Sequence, residues 1–587
     1  MLRIRLIGRP GLSRDGEPVT GPRGHKTWAL LGRLVRSTDP VSRQVLVEEL
    51  FSEAEDPLGA LRWSLAELRR RTGLALALEG NPVTIDLGEA TVDVLELEHG
   101  SIPDVIPEGA FLEGIDVKAS PGFESWLLVE RLRVDAEVLS ALRQATLRAL
   151  SGREFDRAVT LAGAMVRRAP LEEGPHVLLV QALAASGDAQ AALQQAEASE
   201  AMFVHELGVS ASPAIRAAAR PAVAAPVPGV SVRASATSLL EAGLAALSAG
   251  AADAGIECLR NASGAAESSG DRELLSRCLM ELGTALVHSI RGYDDEGAVI
   301  LGRAVDTATE AGSEVTAAKA LAELGYVDVL AGRRTSAASY LRTAGELAAD
   351  DATRAALAGF EAMNLSDWGR LDPSMTRFAE SVELSRSAGA VRREIWNLGI
   401  GSRTFFLAGR LDEATEWAEG ACALARRERW TAFRPWPEAW LAHARLSGGQ
   451  DPRAVREDLE PAFALSRQLQ DPCWEGVVAK LIGLTHVAQD EHATGLQWLA
   501  DAGTMARRVT DSYAWVDVDI LLAEAQAARA FGDTERAETV TRRAIAGAAR
   551  GDMADLLERG LELLGQAGGA KNSSAIPSGS RKDSPEP

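Results

Sequence analysis

The chain has 587 residues, too many for one hydrophobic core, so several domains are expected. Its composition is typical of globular proteins and excludes a fibrous or wholly disordered chain. The formal net charge of −21 argues against nucleic-acid binding by most of the molecule.

The charge is unevenly distributed along the chain. Residues 1–72 contain 13 Lys and Arg against nine Asp and Glu, a local net charge of +4, and the remainder is strongly acidic. The acidic part should repel a phosphate backbone, so contact with nucleic acid is expected only near the N-terminus.

Cysteine usage and hydropathy predict a cytoplasmic protein without a membrane segment. The four cysteines lie far apart, which predicts neither a disulfide framework nor a metal site. The first residues lack the apolar core of a signal sequence, and no apolar run approaches the roughly 18 residues of a membrane helix.

The N-terminal region predicts strands, then three helices, then a hairpin. Apolar residues alternate with arginines over residues 2–6, Asp15–Gly16 predicts a hairpin turn, and a helix is predicted over residues 28–35. Two further helices are predicted within 41–73, and a short hairpin within 74–87. This order is that of a winged helix-turn-helix with an N-terminal sheet.

The helix pair within residues 41–73 has clear boundary residues. Ser42 is suited to cap the first helix, and Pro57 is suited to open the second. Leucines recur in the second helix at steps of three and four, which predicts a buried stripe made of Leu58, Leu61, Leu65 and Leu68.

The opposite face of that second helix is predicted to be exposed and basic. It would carry Trp63, Glu67 and Arg70, with Arg62 and Arg71 on its flanks. A helix that enters the major groove of DNA requires such a face. The other interpretation is an ordinary helical hairpin with a solvated face.

Several segments resemble the antibiotic regulatory protein (SARP) family of bacterial activators. IRLIGRPGLSRDGEPVTGPRGHKTWALLGRLV, VSRQVLVEELF and ALRWSLAELRRRTG resemble the family's OmpR-like winged helix. PEGAFLEGIDVKASPGFESWLLVERLRVDAEVLSALRQA and FVHELGVSASPAIRA resemble its bacterial transcriptional activation domain (BTAD). The resemblance implies a winged-helix DNA-binding domain over 1–99 and a tetratricopeptide (TPR)-like BTAD over 100–220.

The resemblance also implies partners and contacts. Double-stranded promoter DNA would bind the winged helix, and the BTAD would contact RNA polymerase or form a homodimer. Trp63, Glu67 and Arg70 would face base edges, whereas phosphate contacts are expected from Lys26, Arg43, Arg62 and Arg71.

Two departures from the family pattern keep a second hypothesis open. The position of Glu67 is usually basic in the family, and a Gly-Tyr-Arg sequence of the wing is replaced by Pro82-Val83-Thr84. The alternative is a non-catalytic TPR scaffold with a degenerate winged helix that does not bind DNA on its own.

The rest of the chain predicts a helical repeat array. Residues 221–236, rich in Pro, Ala and Val, predict a linker, and residues 567–587 predict a disordered tail. Between them, over 237–566, helical sequence breaks about every 40 residues, which predicts stacked TPR-like helix pairs that sense a ligand or a partner. The breaks lie near Gly250, Gly292, Gly332, Gly369, Gly409, Gly449, Asp490 and Gly532.

Tryptophan is concentrated in these repeats, where nine of the twelve tryptophans follow residue 360. Three of them lie within residues 430–440, together with Arg434. These residues either fill gaps between Ala-rich helices or line a ligand or peptide groove, for which Arg434 and Trp436 are the candidates.

No catalytic or cofactor motif is recognised. GPRGHKT lacks the spacing of a phosphate-binding loop, and the histidines show no metal-ligand pattern. The sequence therefore predicts a mainly α, non-enzymatic regulator without a cofactor.

Overall fold

The computed structural model describes residues 1–37, 40–76, 81–98, 108–117, 121–207, 213–219, 232–248, 251–289, 291–509 and 511–573. The fold is mainly α with a small N-terminal sheet, which confirms the predicted fold class. The chain divides into two compact units. The first unit comprises Met1–Glu361, Val509–Asp511 and Ala549–Gly551, and the second comprises Ala362–Arg508, Ser512–Ala548 and the residues from Asp552 onward.

The first unit begins with strands, three helices and a hairpin, in the predicted order. A four-stranded sheet has the order β3-β2-β1-β6, in which β1 and β6 are parallel and the other pairs antiparallel. Strands β4 and β5 form a separate antiparallel pair. The elements are β1 (Leu2–Arg5), β2 (Gly11–Arg14), β3 (Glu17–Val19), α1 (His25–Val35), α2 (Arg43–Leu50), α3 (Pro57–Thr72), β4 (Ala75–Leu76), β5 (Ile85–Asp86), β6 (Thr91–Val92) and α4 (Asp93–Glu98).

The predicted boundary residues of α2 and α3 are confirmed. The Ser42 side chain caps α2 by accepting from the Val45 backbone N–H at 3.2 Å, and Pro57 is the first residue of α3. Asp56 caps α3 by accepting from the Gly59 backbone N–H at 2.9 Å. These bonds satisfy N–H groups that a helix start leaves without partners.

The predicted leucine stripe of α3 is confirmed except at its first position. Leu61, Leu65 and Leu68 are fully buried, but Leu58 is 50% exposed, so its assignment to the core is wrong. Leu58 belongs to the first turn of α3, ahead of the buried part of the helix.

A second group of helices follows within the first unit. Successive members pack against one another from α5 to α8. They are α5 (Pro121–Ser151), α6 (Phe155–Arg168), α7 (Glu173–Ala185), α8 (Ala189–Leu207) and α9 (Pro213–Ala217).

Antiparallel helix pairs make up the described remainder of the chain. Seven of the eight predicted breaks are confirmed as tight turns between paired helices, and each has a positive φ at its predicted residue. The eighth, Gly250, lies outside the described residues. The helices are α10 (Val232–Ser248), α11 (Ala252–Ser269), α12 (Arg272–Ser289), α13 (Asp294–Ala311), α14 (Glu314–Leu330), α15 (Arg334–Leu347), α16 (Asp351–Asp367), α17 (Leu371–Ser387), α18 (Val391–Leu407), α19 (Leu411–Arg427), α20 (Pro435–Ser447), α21 (Pro452–Leu469), α22 (Pro472–Val487), α23 (His492–Ala506), α24 (Ala514–Ala530), α25 (Thr534–Arg550) and α26 (Ala554–Ser573).

Glycine allows paired helices to approach closely. A Cβ atom at Gly283 of α12 would lie 2.5 Å from the Leu301 side chain and 3.2 Å from the Gly297 carbonyl oxygen of α13. A larger residue at Gly283 would therefore separate the pair, so the TPR-like packing depends on a position without a side chain.

Two predicted domain boundaries need correction. Helix α10 begins at Val232, inside the predicted linker, because Ala236 and Leu240 are buried in the core between α10 and its neighbours. Helix α26 extends to Ser573, inside the predicted disordered tail. The other parts of the linker and tail, 221–231 and 574–587, lie outside the described residues.

Across the described ranges, none of the helices combines the length and the apolar character that crossing a membrane requires.

Candidate nucleic-acid interface

Helix α3 presents an exposed face with both aromatic and basic side chains. Trp63 is 56% exposed, and Arg62, Arg69 and Arg70 are exposed as well. Burial of Leu61, Leu65 and Leu68 on the opposite side fixes the rotation of the helix, because these residues recur at helical spacing. The structure therefore places Trp63, Arg62 and Arg70 on the surface where the sequence predicted them.

Arg69 is an exposed residue that the sequence interpretation missed. It follows Arg62 by seven residues, so both lie on the same flank of α3. That spacing could have identified Arg69 from the sequence alone.

The predicted outward position of Glu67 is wrong. Its side chain is 3% exposed and accepts hydrogen bonds from Arg70, from Arg71 Nε at 3.1 Å and from the Arg23 backbone N–H at 3.4 Å. Glu67 turns inward because the segment that leads into α1 supplies this N–H group on its side of α3. Its carboxylate is therefore not presented to a base edge.

These contacts set the charge on Glu67 and on two arginines. Hydrogen bonds from Arg70, and then from Arg71 and the Arg23 backbone, lower the pKa of Glu67 to about 2 despite the opposing effect of burial. Glu67 is thus ionised at neutral pH and partly neutralises Arg70 and Arg71. Arg71 is only 22% exposed, which leaves it less available than Arg62 or Arg70.

The two predicted phosphate contacts outside α3 lie on other elements. Lys26 is on α1, partly buried, with its ammonium nitrogen 5.7 Å from the centroid of the Phe51 ring. Arg43 is the partly exposed first residue of α2, and its backbone N–H donates to Asn81 Oδ1 at 2.9 Å.

The segment just before α2 is hydrogen-bonded to the region of the predicted wing. Val41 and Val83 exchange backbone hydrogen bonds of 2.7 and 3.2 Å. Val83, in the Pro82-Val83-Thr84 sequence of the predicted wing, therefore lies beside the start of α2. Residues 77–80 of the predicted hairpin loop lie outside the described residues.

Ion pairs join the N-terminal elements to α5. Arg36, directly after α1, donates to Glu130 and to Glu137, the latter at 2.7 Å, and its side chain is almost fully buried. The Arg33 guanidinium lies 5.3 Å from the Trp126 ring centroid. Helix α5 thus contacts Arg33 of α1 and Arg36, the residue directly after α1, through a cation–aromatic contact and ion pairs.

Both contacts belong to the first unit, in which α1 also packs against α2 and α3.

The predicted groove residue Trp436 is a core residue instead. It is fully buried, its Nε1–H donates to the Gly399 carbonyl oxygen at 3.0 Å, and its ring packs 5.8 Å from that of Trp440. The groove assignment of Trp436 is therefore wrong, because α20 turns this side chain toward α18. Arg434 is partly exposed and pairs with Glu438 at 2.8 Å, and its role in a groove stays a prediction.

A buried polar cluster in the second unit was missed by the sequence interpretation. Arg403 on α18 is fully buried, donates to Asp367 and to Tyr513 Oη, and lies 4.3 Å from the Trp515 ring centroid. Its partners are far away in the sequence, so no local pattern indicates them.

Among the described residues, no group of three or more His, Cys, Asp or Glu side chains is arranged to bind a metal ion. None of the described cysteines forms a disulfide bond.

Comparison with known proteins identifies one segment of the chain. A family model described as the bacterial transcriptional activator domain matches residues 108–221, which include α5 to α9. The predicted BTAD is confirmed at this level. None of the curated proteins matches the chain significantly.

Solved structures with similar helical repeats are also found. A Rap protein complexed with competence and sporulation factor is 10% identical, with a TM-score of 0.40, over 58% of this chain and 99% of that chain. NprR in complex with its cognate peptide NprX is 12% identical, with a TM-score of 0.37, over 60% and 91%. Mycobacterium tuberculosis EmbR in complex with a low-affinity phosphopeptide is 20% identical, with a TM-score of 0.28, over 37% and 64%.

Proposed function

We propose that the protein is a transcriptional regulator, acting as an activator, that binds promoter DNA through an N-terminal winged helix. The exposed face of α3, with Trp63, Arg62 and Arg70, is the observation that carries the proposal. Supporting it, the strands, three helices and hairpin of residues 1–98 follow the order of a winged helix-turn-helix, and a transcriptional activator domain model matches the next segment.

The remaining parts have complementary roles in this proposal. The BTAD contacts RNA polymerase or a second copy of the chain, and the C-terminal helix pairs sense a ligand or partner. The protein acts without catalysis or a cofactor, in the cytoplasm, where its DNA and polymerase are found.

Opposite substitutions around Glu67 test the proposal. Arg70→Ala should weaken DNA binding, because it removes an exposed cation, and Arg71→Ala should flatten the salt dependence.

Glu67→Gln should strengthen binding, because it frees both arginines, and should steepen the slope of log K against log salt by about 1. Fluorescence anisotropy with labelled duplex DNA at several salt concentrations measures these effects.

A charge-matched control separates a local effect from a change in net charge. Glu535→Gln removes one exposed acid from α25 and should leave the affinity and slope nearly unchanged. Equal effects of the two Glu→Gln variants, or no binding by any variant at low salt, would contradict the assignment of α3.

A non-catalytic scaffold is the second candidate function, favoured by one observation. Leu58 and Trp63 expose large apolar side chains on α3, and such exposed residues also occur at protein interfaces. If Trp63→Ala abolished binding of a protein partner and the wild-type chain bound no DNA, the scaffold would be the better description.

A further inference from the structure

The middle of the exposed face of α3 is apolar. Gly59, Trp63, Ala66 and Arg70 follow one another at steps of four, three and four, so they form a single row along the helix. Trp63 and Ala66, both exposed, occupy the two central positions of this row. Charge enters the row only at its C-terminal end, with Arg70.

Glu67, the acidic residue near the centre of the row, is buried and does not face outward. Glu67 would accept a hydrogen bond from a cytosine amine if it faced outward. Instead, it is 3% exposed and is bound by Arg70, Arg71 and the Arg23 backbone. The central turn of α3 is thus left with the Trp63 indole ring and the Ala66 methyl group.

We propose that this row recognises thymine through its 5-methyl group in the major groove, with Trp63 and Ala66 as the specificity-determining residues; the inference rests on the proposed function. Thymine is the base that offers an apolar group on its major-groove edge, and alanine and aromatic side chains are suited to contact it. Cytosine, guanine and adenine have no methyl group there, and an indole face and a methyl group do not satisfy the hydrogen-bonding groups that they present.

Exposure of Trp63 supports a role in binding rather than in folding. At 56% exposure, more than half of the Trp63 surface lies outside the core and is free to be covered by a ligand. Contact with thymine methyl groups would remove apolar surface of both partners from water, which favours association.

Replacement of thymine by uracil tests the proposal directly, because the two bases differ only by the 5-methyl group. The full-length chain is first used to select bound duplexes from a random-sequence pool. In the selected duplex, each dT is then replaced by dU, one position at a time. Loss of one contacted methyl group should weaken binding about fourfold, and two or more adjacent positions should show this loss.

Variants connect the methyl effect to α3. Trp63→Ala should bind the dT and dU duplexes with similar affinity, because the group that distinguishes them is gone. Phe531→Ala, which truncates a similarly exposed aromatic residue on the C-terminal side of α24, should keep the full discrimination.

The outcomes separate this inference from the proposed function. A chain that selects and binds a specific duplex, but binds its dT and dU forms equally, would overturn thymine recognition and leave DNA binding intact. A chain that selects no duplex would overturn both. Methyl discrimination that survives in Trp63→Ala would overturn the assignment to this residue.

Discussion

The surroundings of His443 determine its protonation state. His443 on α20 is partly buried, packs 4.1 Å from the Phe406 ring and 5.4 Å from the Trp440 ring, and has an Nδ1 atom without a hydrogen-bond partner among the described residues. Burial, and then the nearby Lys480 cation, lowers the pKa of His443 to about 3. His443 is therefore neutral in the folded protein at any physiological pH.

This pKa shift predicts a pH-dependent loss of stability. In the unfolded chain His443 takes up a proton below a pH of about 6.5, whereas the folded chain does so only near 3. Its contribution to stability is thus complete above pH 6.5 and is lost progressively as the pH falls toward 3. His443→Phe keeps the ring packing and should reduce the loss of unfolding free energy between pH 7 and pH 5 by about 1–2 kcal/mol.

Urea unfolding at the two pH values, followed by tryptophan fluorescence, measures this effect, since nine of the twelve tryptophans lie in the second unit. The control is His205→Gln, which changes an exposed histidine and should leave the pH dependence as in the wild type. A His443→Phe variant that loses as much stability as the wild type would show that His443 titrates normally in the fold.

Prediction of individual residues from the sequence succeeded where helical periodicity determines burial. It failed where a residue distant in the sequence determines burial. The leucine spacing correctly identified Leu61, Leu65 and Leu68, and it left Trp63 exposed. Glu67 was misplaced because the Arg23 backbone N–H that it meets lies 44 residues earlier in the chain. A helical period contains no information about such a contact.

Among the elements, α5 makes buried ionic contacts along much of its length. Glu130 and Glu137 of α5 pair with Arg36, and nearer the C-terminal end of the helix Arg143 pairs with Asp295 at 2.8 Å. The second contact lies between α5 and α13, both in the first unit. Helix α5 therefore contacts both the N-terminal elements and α13 of the helix pairs.

Substitution of Arg36 should weaken the attachment of α1 to α5. Arg36→Met leaves the buried Glu130 carboxylate without this cation, and loss of one partner of a buried ion pair typically costs about 3–5 kcal/mol. Where α1 exchanges by local opening, hydrogen exchange of its backbone amides should be faster by about 100-fold or more.

The matched control is Arg157→Met, which breaks the exposed pair of Arg157 with Glu154. Exposed pairs contribute less than about 1 kcal/mol, so exchange in α1 should be unchanged in this variant. Unaltered exchange in Arg36→Met would show that the ion pairs do not hold α1.

Element boundaries were predictable where glycine sets the backbone. Gly409 has a φ of +74° between α18 and α19, a conformation that favours glycine, and the predicted 40-residue spacing located this turn. The start of α10 was not predictable, since its first turns have the same Ala, Val and Ser composition as the linker. Packing of Ala236 and Leu240 into the core decides that these residues are helical.

At the scale of the whole molecule, charge is separated along the chain. Residues 1–72 carry a net charge of +4 within a protein of −21, so we expect attraction of a phosphate backbone in this region. The sequence predicted the mainly α fold and the helix pairs correctly. It did not predict the two compact units, because their limits depend on which helices meet in space.

Selection of DNA by the full-length chain tests the central claim most directly. The protein is incubated at about 50 mM salt, where phosphate contacts are strong, with a random-sequence duplex pool, and bound duplexes are recovered and sequenced over several rounds. We predict that one common sequence is enriched, and that an Arg62→Ala, Arg70→Ala double variant does not enrich it. Recovery of no common sequence by the wild-type chain, or equal enrichment by the double variant, would contradict DNA recognition through α3.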